Sequence, residues 1–122
     1  MTPEAFSELA HRLGPGVQVR SILDAVQFRV GDRAFATLGW PAPGWAVVKL
    51  SRKDQADLLP RSDALSLEPG RRRKTGVTLV RLHDAEPDLV AEVLAAAFGE
   101  VYRQAGRGAS RPADRLGLVA RG

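Results

Sequence analysis

The sequence predicts a single α+β domain, and the prediction rests on its length, its hydrophobic periodicities and its turn signals. A chain of 122 residues is long enough to bury one sizeable core. Its middle carries apolar alternation of period two, broken by Gly, Pro and Asp at the places where strands turn, and a helical apolar stripe stands at either end. Apolar residues at 44% and charged residues at 26% exclude a disordered chain.

The first helix starts at Thr2-Pro3, because Thr can accept from an orphan N–H and Pro is tolerated at the first helical position. Phe6, Leu9, Ala10 and Leu13 then share one face, and Gly14-Pro15-Gly16 ends the helix. From Val17 the period changes. VQVRSIL alternates loosely, and residues 26 to 30 place Val26, Phe28 and Val30 on one side of a strand. Gly31-Asp32 is a tight-turn signal, after which Arg33 to Leu38 returns as the partner strand with Phe35 available to the core.

Gly39-Trp40-Pro41-Ala42-Pro43-Gly44 is a loop, since two prolines and two glycines break any ladder there. Trp45 to Leu50 is the next strand. Ser51 caps a short helix, with Asp54 as the acid three residues on, and that helix ends near Leu59-Pro60. Residues 61 to 70 are irregular or hold a short edge strand, and Gly76 to Leu82 alternates as a further strand. Asp84-Ala85-Glu86-Pro87 opens the last helix, where acids complement the macrodipole. Its broad stripe, running from Leu89 and Val90 through Leu94 and Phe98 to Tyr102, must lie against the sheet. Phe28, Phe35, Leu94 and Phe98 are accordingly expected in the core. Gly106 is expected to break the helix, so the compact domain spans residues 1–104 and residues 105–122 form a Gly/Arg-rich tail.

The absence of cysteine excludes a disulfide framework and a thiolate metal site, and fits a reducing compartment. The first residues carry no basic region leading into an apolar stretch, and no run of about 18 apolar residues occurs. A soluble, cytoplasmic protein is expected, with a monomer favoured.

Net charge is +4, but its distribution decides more than its sum. The run Arg71, Arg72, Arg73, Lys74 and the stretch from Arg103 onward hold nine basic residues and one acidic, leaving nine basic against thirteen acidic elsewhere. Positive excess placed in one loop and one tail suits an anionic partner, although arginine-rich loops are also simply well solvated. Flanked by Gly70 and Gly76, the run can project as a wing and neutralise phosphates, which points to non-specific binding of double-stranded DNA. No recognition helix with base-contacting spacing is apparent. Lys49, opposite in direction to Val48 and Leu50, is a further phosphate candidate. Trp40 and Trp45 flank the Pro/Gly loop and offer aromatic faces for stacking a base or lining a small-molecule pocket, while packing at the open end of the core suffices for both and is the favoured reading.

No catalytic residues are assigned. His11 and His83 lack clustered partners, Gly106-Arg107-Gly108 is not a phosphate-binding loop, and no cofactor or metal is implied.

The stretch FRVGDRAFATLGWPAPGWAVVKLS, residues 28 to 51, resembles the MmcQ/YjbR family of small bacterial proteins. The N-terminal TPEAF, the turn Leu13-Gly14-Pro15-Gly16-Val17, the pattern of Gly76, Thr78, Val80 and Leu82, and the closing DAEPDLVAEVLAAAF support the resemblance over about residues 2 to 104. It implies a two-layer fold like that of the frataxin/CyaY group, an antiparallel sheet covered on one face by the N- and C-terminal helices. It also implies DNA binding through a so-called double wing, an assignment that rests on analogy of shape. Family members commonly carry tryptophan directly after the glycine aligned with Gly76, where this chain has Val77 preceded by RRRKT. The iron associated with frataxin-like folds finds only Glu4 and Glu8 on the first helix, too few oxygens for a hard cation. A non-enzymatic DNA-binding protein is therefore the first expectation. A small-molecule-binding protein with its pocket near the Trp40/Trp45 loop, or a protein-interaction module, is the alternative.

Overall fold

The computed structural model describes residues 1–67 and 76–114, the residues after 104 as backbone only. Helix α1 (Pro3–His11) leads into strands β1 (Val17–Ile22), β2 (Ala25–Val30), β3 (Arg33–Leu38) and β4 (Trp45–Lys49). Helix α2 (Arg52–Leu58), a single 3-10 turn, β5 (Leu65–Leu67), β6 (Val77–Arg81), a second 3-10 turn and helix α3 (Pro87–Asp114) complete the chain. All strand pairs are antiparallel, in the order β1-β2-β3-β4-β6-β5. The short β5 is the edge strand anticipated within residues 61 to 70.

Local chemistry accounts for the element ends. The Thr2 hydroxyl accepts from the Ala5 N–H and the Ser51 hydroxyl from the Asp54 N–H, each satisfying an orphan donor of its helix. Val26, Phe28, Ala36, Leu38, Ala46, Val48 and Val80 share one face of the sheet through the register of β2, β3, β4 and β6. That face meets α1 and α3, so the α+β class and the covering by the N- and C-terminal helices are both observed. A bulge between Phe28 and Arg29 leaves Phe35 as the extra residue of β3. Phe35 and Ala36 are therefore buried one after the other, which simple alternation forbids.

An aromatic ladder runs through the core, with centroids 6.3 Å apart for Phe6 and Phe28, 6.4 Å for Phe28 and Phe35, and 5.7 Å for Phe35 and Phe98. Phe28, Phe35 and Leu94 are fully buried, as expected. Phe98 departs from expectation and is only partly buried, because it stacks outward on exposed Tyr102 and lies over Gly14. The last helix also departs from expectation and continues past Gly106 to Asp114. Glycine costs about 1 kcal/mol per helical position, and the neighbouring alanines and arginines are strong helix formers, so Gly106 and Gly108 do not stop a helix already underway.

Helix α2 joins the same layer through a buried polar contact. The Gln55 side-chain amide donates to the Thr78 hydroxyl at 2.9 Å and to the Val77 carbonyl at 3.2 Å, and the Thr78 hydroxyl donates to the Gly76 carbonyl. Across the helical layer, Arg61 grips Glu92 of α3 with two hydrogen bonds of 2.8 Å, which hold the Glu92 carboxyl below its ordinary range. Among the described residues, no helix is long and apolar enough to cross a membrane.

Candidate nucleic-acid interface

The register sorts the loops to two ends of the sheet. At one end lie the Gly31-Asp32 turn, the last residue of β4, the end of β5 and the start of β6. At the other lie the Leu23-Asp24 turn, the 39–44 loop, the start of β5 and the end of β6. Charge follows this division. The second end holds Asp24, Asp63 and Asp84, of which Asp84 pairs with Arg81.

At the first end a groove of about 660 Å³ is lined by Arg29, Arg33, Lys49 and Arg52, with Asp32 and Glu100 as its carboxylates. These cations come from four places in the chain, the end of β2, the start of β3, the end of β4 and the start of α2. Arg29 is held in place, one guanidinium nitrogen donating to the Gln27 side chain and another to the Asp32 carbonyl, both at 2.9 Å. Arg33, Lys49 and Arg52 are exposed, and none has a carboxylate within salt-bridge distance among the described residues. Glu100 is already engaged by Arg103 and Gln104 of its own helix. The groove thus holds four cations against Asp32 as its one carboxylate without a cation partner among the described residues, a net positive excess.

Arg71, Arg72, Arg73 and Lys74 lie outside the described residues. Their anchors do not. Leu67 and Gly76 both stand at the cationic end, and Gly76 is fixed there by the Leu50 N–H donating to its carbonyl at 3.0 Å. Gly76 has φ +76, and a Cβ on it would sit 1.8 Å from the Leu50 carbonyl oxygen, so glycine is what allows the two segments to meet. Lys49 is where the sequence analysis places it, on the helix-free face of β4. Arg29, Arg33 and Arg52 are not legible in the sequence as a group, because each reads singly as a solvated charge. The register of β2, β3 and β4 brings Arg29, Arg33 and Lys49 to one end of the sheet, and α2, which follows β4 directly, adds Arg52; the sequence signal is their position at element ends.

The two tryptophans part company. Trp45 is half-buried, and the Arg81 guanidinium lies 5.8 Å from the centre of its ring, so a packing role accounts for it. Trp40 is 54% exposed and walls a second cavity of about 510 Å³ on the helix-free face, together with Ile22, Leu23, Ala25, Thr37 and Pro41. Trp45 is not among its walls. Leu23 is 97% exposed and holds φ 55, a left-handed conformation that costs a leucine about 1 kcal/mol. Among the described residues there is no cluster of three or more His, Asp or Glu able to hold a metal ion.

Neither a family model nor a curated protein matches the chain.

Proposed function

We propose that this chain is a non-enzymatic, cytoplasmic DNA-binding protein that holds phosphates at the cationic end of its sheet. The observation that carries the reading is the convergence of Arg29, Arg33, Lys49 and Arg52 in one groove, at the end of the sheet where both anchors of the Arg71–Lys74 run stand. Cations drawn together from distant positions and left without carboxylate partners are stabilised by phosphates, whose neutralisation releases condensed counterions. Such contacts position a nucleic acid without reading its sequence.

Fluorescence anisotropy of labelled duplexes across a salt series tests the proposal. Binding should be weak, indifferent to sequence, and steeply reduced by salt, with a slope of about −0.9 per phosphate engaged. Replacing Arg33, Lys49 and Arg52 together by Ala should flatten the slope by about two to three units and weaken every duplex alike. Replacing Arg71 to Lys74 by Ala measures the contribution of the run. Binding by the triple variant equal to that of the unaltered protein would overturn the reading. A small-molecule-binding protein is the second reading, favoured by the Trp40 cavity. A ligand confined to that cavity would leave the cationic groove unused, and binding would then be insensitive to the triple substitution.

A further inference from the structure

The apolar cavity on the helix-free face and the cationic groove, which reaches round the end of the sheet to Glu100, Val101 and Gln104 of α3, are opposite in character and share a wall. The Trp40 cavity and the cationic groove are both lined by Gln27, at the middle of β2. One track therefore runs along β2, from an apolar cleft at Ala25 to guanidinium and ammonium groups at Arg29 and Lys49. Its length, four residues of extended strand, is about 13 Å. Three of the chain's exposed large apolar side chains, Ile22, Leu23 and Trp40, surround the apolar end. Among the described residues no cation lines that end, and Asp24 does. An anion is repelled there, whereas an uncharged ring is accepted between Trp40 and the strand. At the far end the preference is reversed.

We propose that this track binds single-stranded nucleic acid, with one base stacked on Trp40 in the apolar cleft, adjoining phosphates on Arg29 and Lys49, and the strand continuing round the end of the sheet to Arg33. The proposal rests on the phosphate reading above and names its substrate. A duplex keeps its bases paired and stacked, so it can present phosphates to the groove but no ring to the cleft. A single strand presents both, in the alternation that the track requires, and stacking on an aromatic platform beside a basic groove is the physical basis of sequence-tolerant single-strand binding. Thr37 and Asp24 line the same cavity, the hydroxyl able to donate or accept and the carboxylate to accept at the edge of a base.

The test compares a labelled single-stranded oligodeoxynucleotide with the duplex of the same sequence, using the unaltered chain, Trp40→Ala, Trp40→Phe and the Arg33, Lys49, Arg52 triple variant. The single strand should bind more tightly than the duplex and quench tryptophan emission, a signal lost in Trp40→Ala because Trp45 is covered by Arg81. Trp40→Ala should lose about tenfold in affinity for the single strand and stay within about twofold on the duplex, with Trp40→Phe recovering most of the loss. Circular dichroism and the unfolding midpoint of each variant identify any that fails to fold. In that event Leu23→Asn, which strips the other wall of the cleft at a position suited to asparagine, takes its place with the same expected selectivity. Equal binding of strand and duplex, unaffected by Trp40→Ala, would overturn this inference and leave the phosphate reading standing. Loss of response to the triple variant would overturn the phosphate reading itself. A mononucleotide that binds as tightly as the strand would overturn the strand in favour of a nucleotide pocket.

Discussion

At the scale of the residue, Gly76 has the sharpest requirement in the chain. Its φ of +76 and the 1.8 Å approach to the Leu50 carbonyl exclude any side chain, and the carbonyl involved is backbone that cannot step aside. Gly76→Ala is expected to cost at least about 3 kcal/mol, the strain of a left-handed alanine with a steric clash added, seen as a lowered urea midpoint. The cost should fall on the cationic end as well, because the Leu50 N–H bond to Gly76 ties the start of β6 to the end of β4 beside Lys49. The sequence marks Gly76 as the start of a strand but not as a contact. That φ and that neighbour depend on where Leu50 lies, twenty-six positions earlier in the chain.

At the scale of the element, α3 shows how a helix can be half legible. Its stripe from Leu89 to Val101 is buried as its spacing predicts, since residues three and four apart fall on one face whatever the surroundings. The ends of that stripe are decided elsewhere. Phe98 touches buried Phe35 on one side and exposed Tyr102 on the other. Phe98→Ala should therefore cost about 2 kcal/mol, less than the 3 kcal/mol or more of a fully buried phenylalanine, measured by chemical denaturation with an unchanged m value. A loss of less than about 0.5 kcal/mol would place the ring outside the core. Strand β3 gives the companion case. Its alternation is legible from Arg33 to Leu38, while the bulge that buries Phe35 and Ala36 together is a property of its pairing with β2.

At the scale of the whole molecule, the sheet separates what the sequence interleaves. Charges of both signs are mixed along the chain, yet the structure gathers Arg29, Arg33, Lys49 and Arg52 around Asp32 at one end of the sheet, while Asp24, Asp63 and Asp84 stand with Arg81 at the other. The last fully buried position among the described side chains of α3 is Val101, and the helix backbone continues thirteen residues beyond it. Removing residues 105–122 should leave a cooperatively unfolding domain, with stability changed by less than about 1 kcal/mol. If the truncated protein loses its cooperative transition, the domain extends beyond residue 104.

The order of helices and strands was decided by the sequence alone, because capping hydroxyls, turn glycines and apolar periods act over a few neighbouring residues. Thr2, Ser51 and Gly31-Asp32 mark their boundaries whatever the rest of the chain does. The visible clusters, Arg71 to Lys74 and the pair of tryptophans, were legible for the same reason. The cationic groove, the covering of Trp45 by Arg81 and the joining of the two cavities at Gln27 were decided only by tertiary structure. Each depends on which residue stands opposite which across the strands. That register is set cooperatively by the burial of one whole sheet face, so no single segment encodes it.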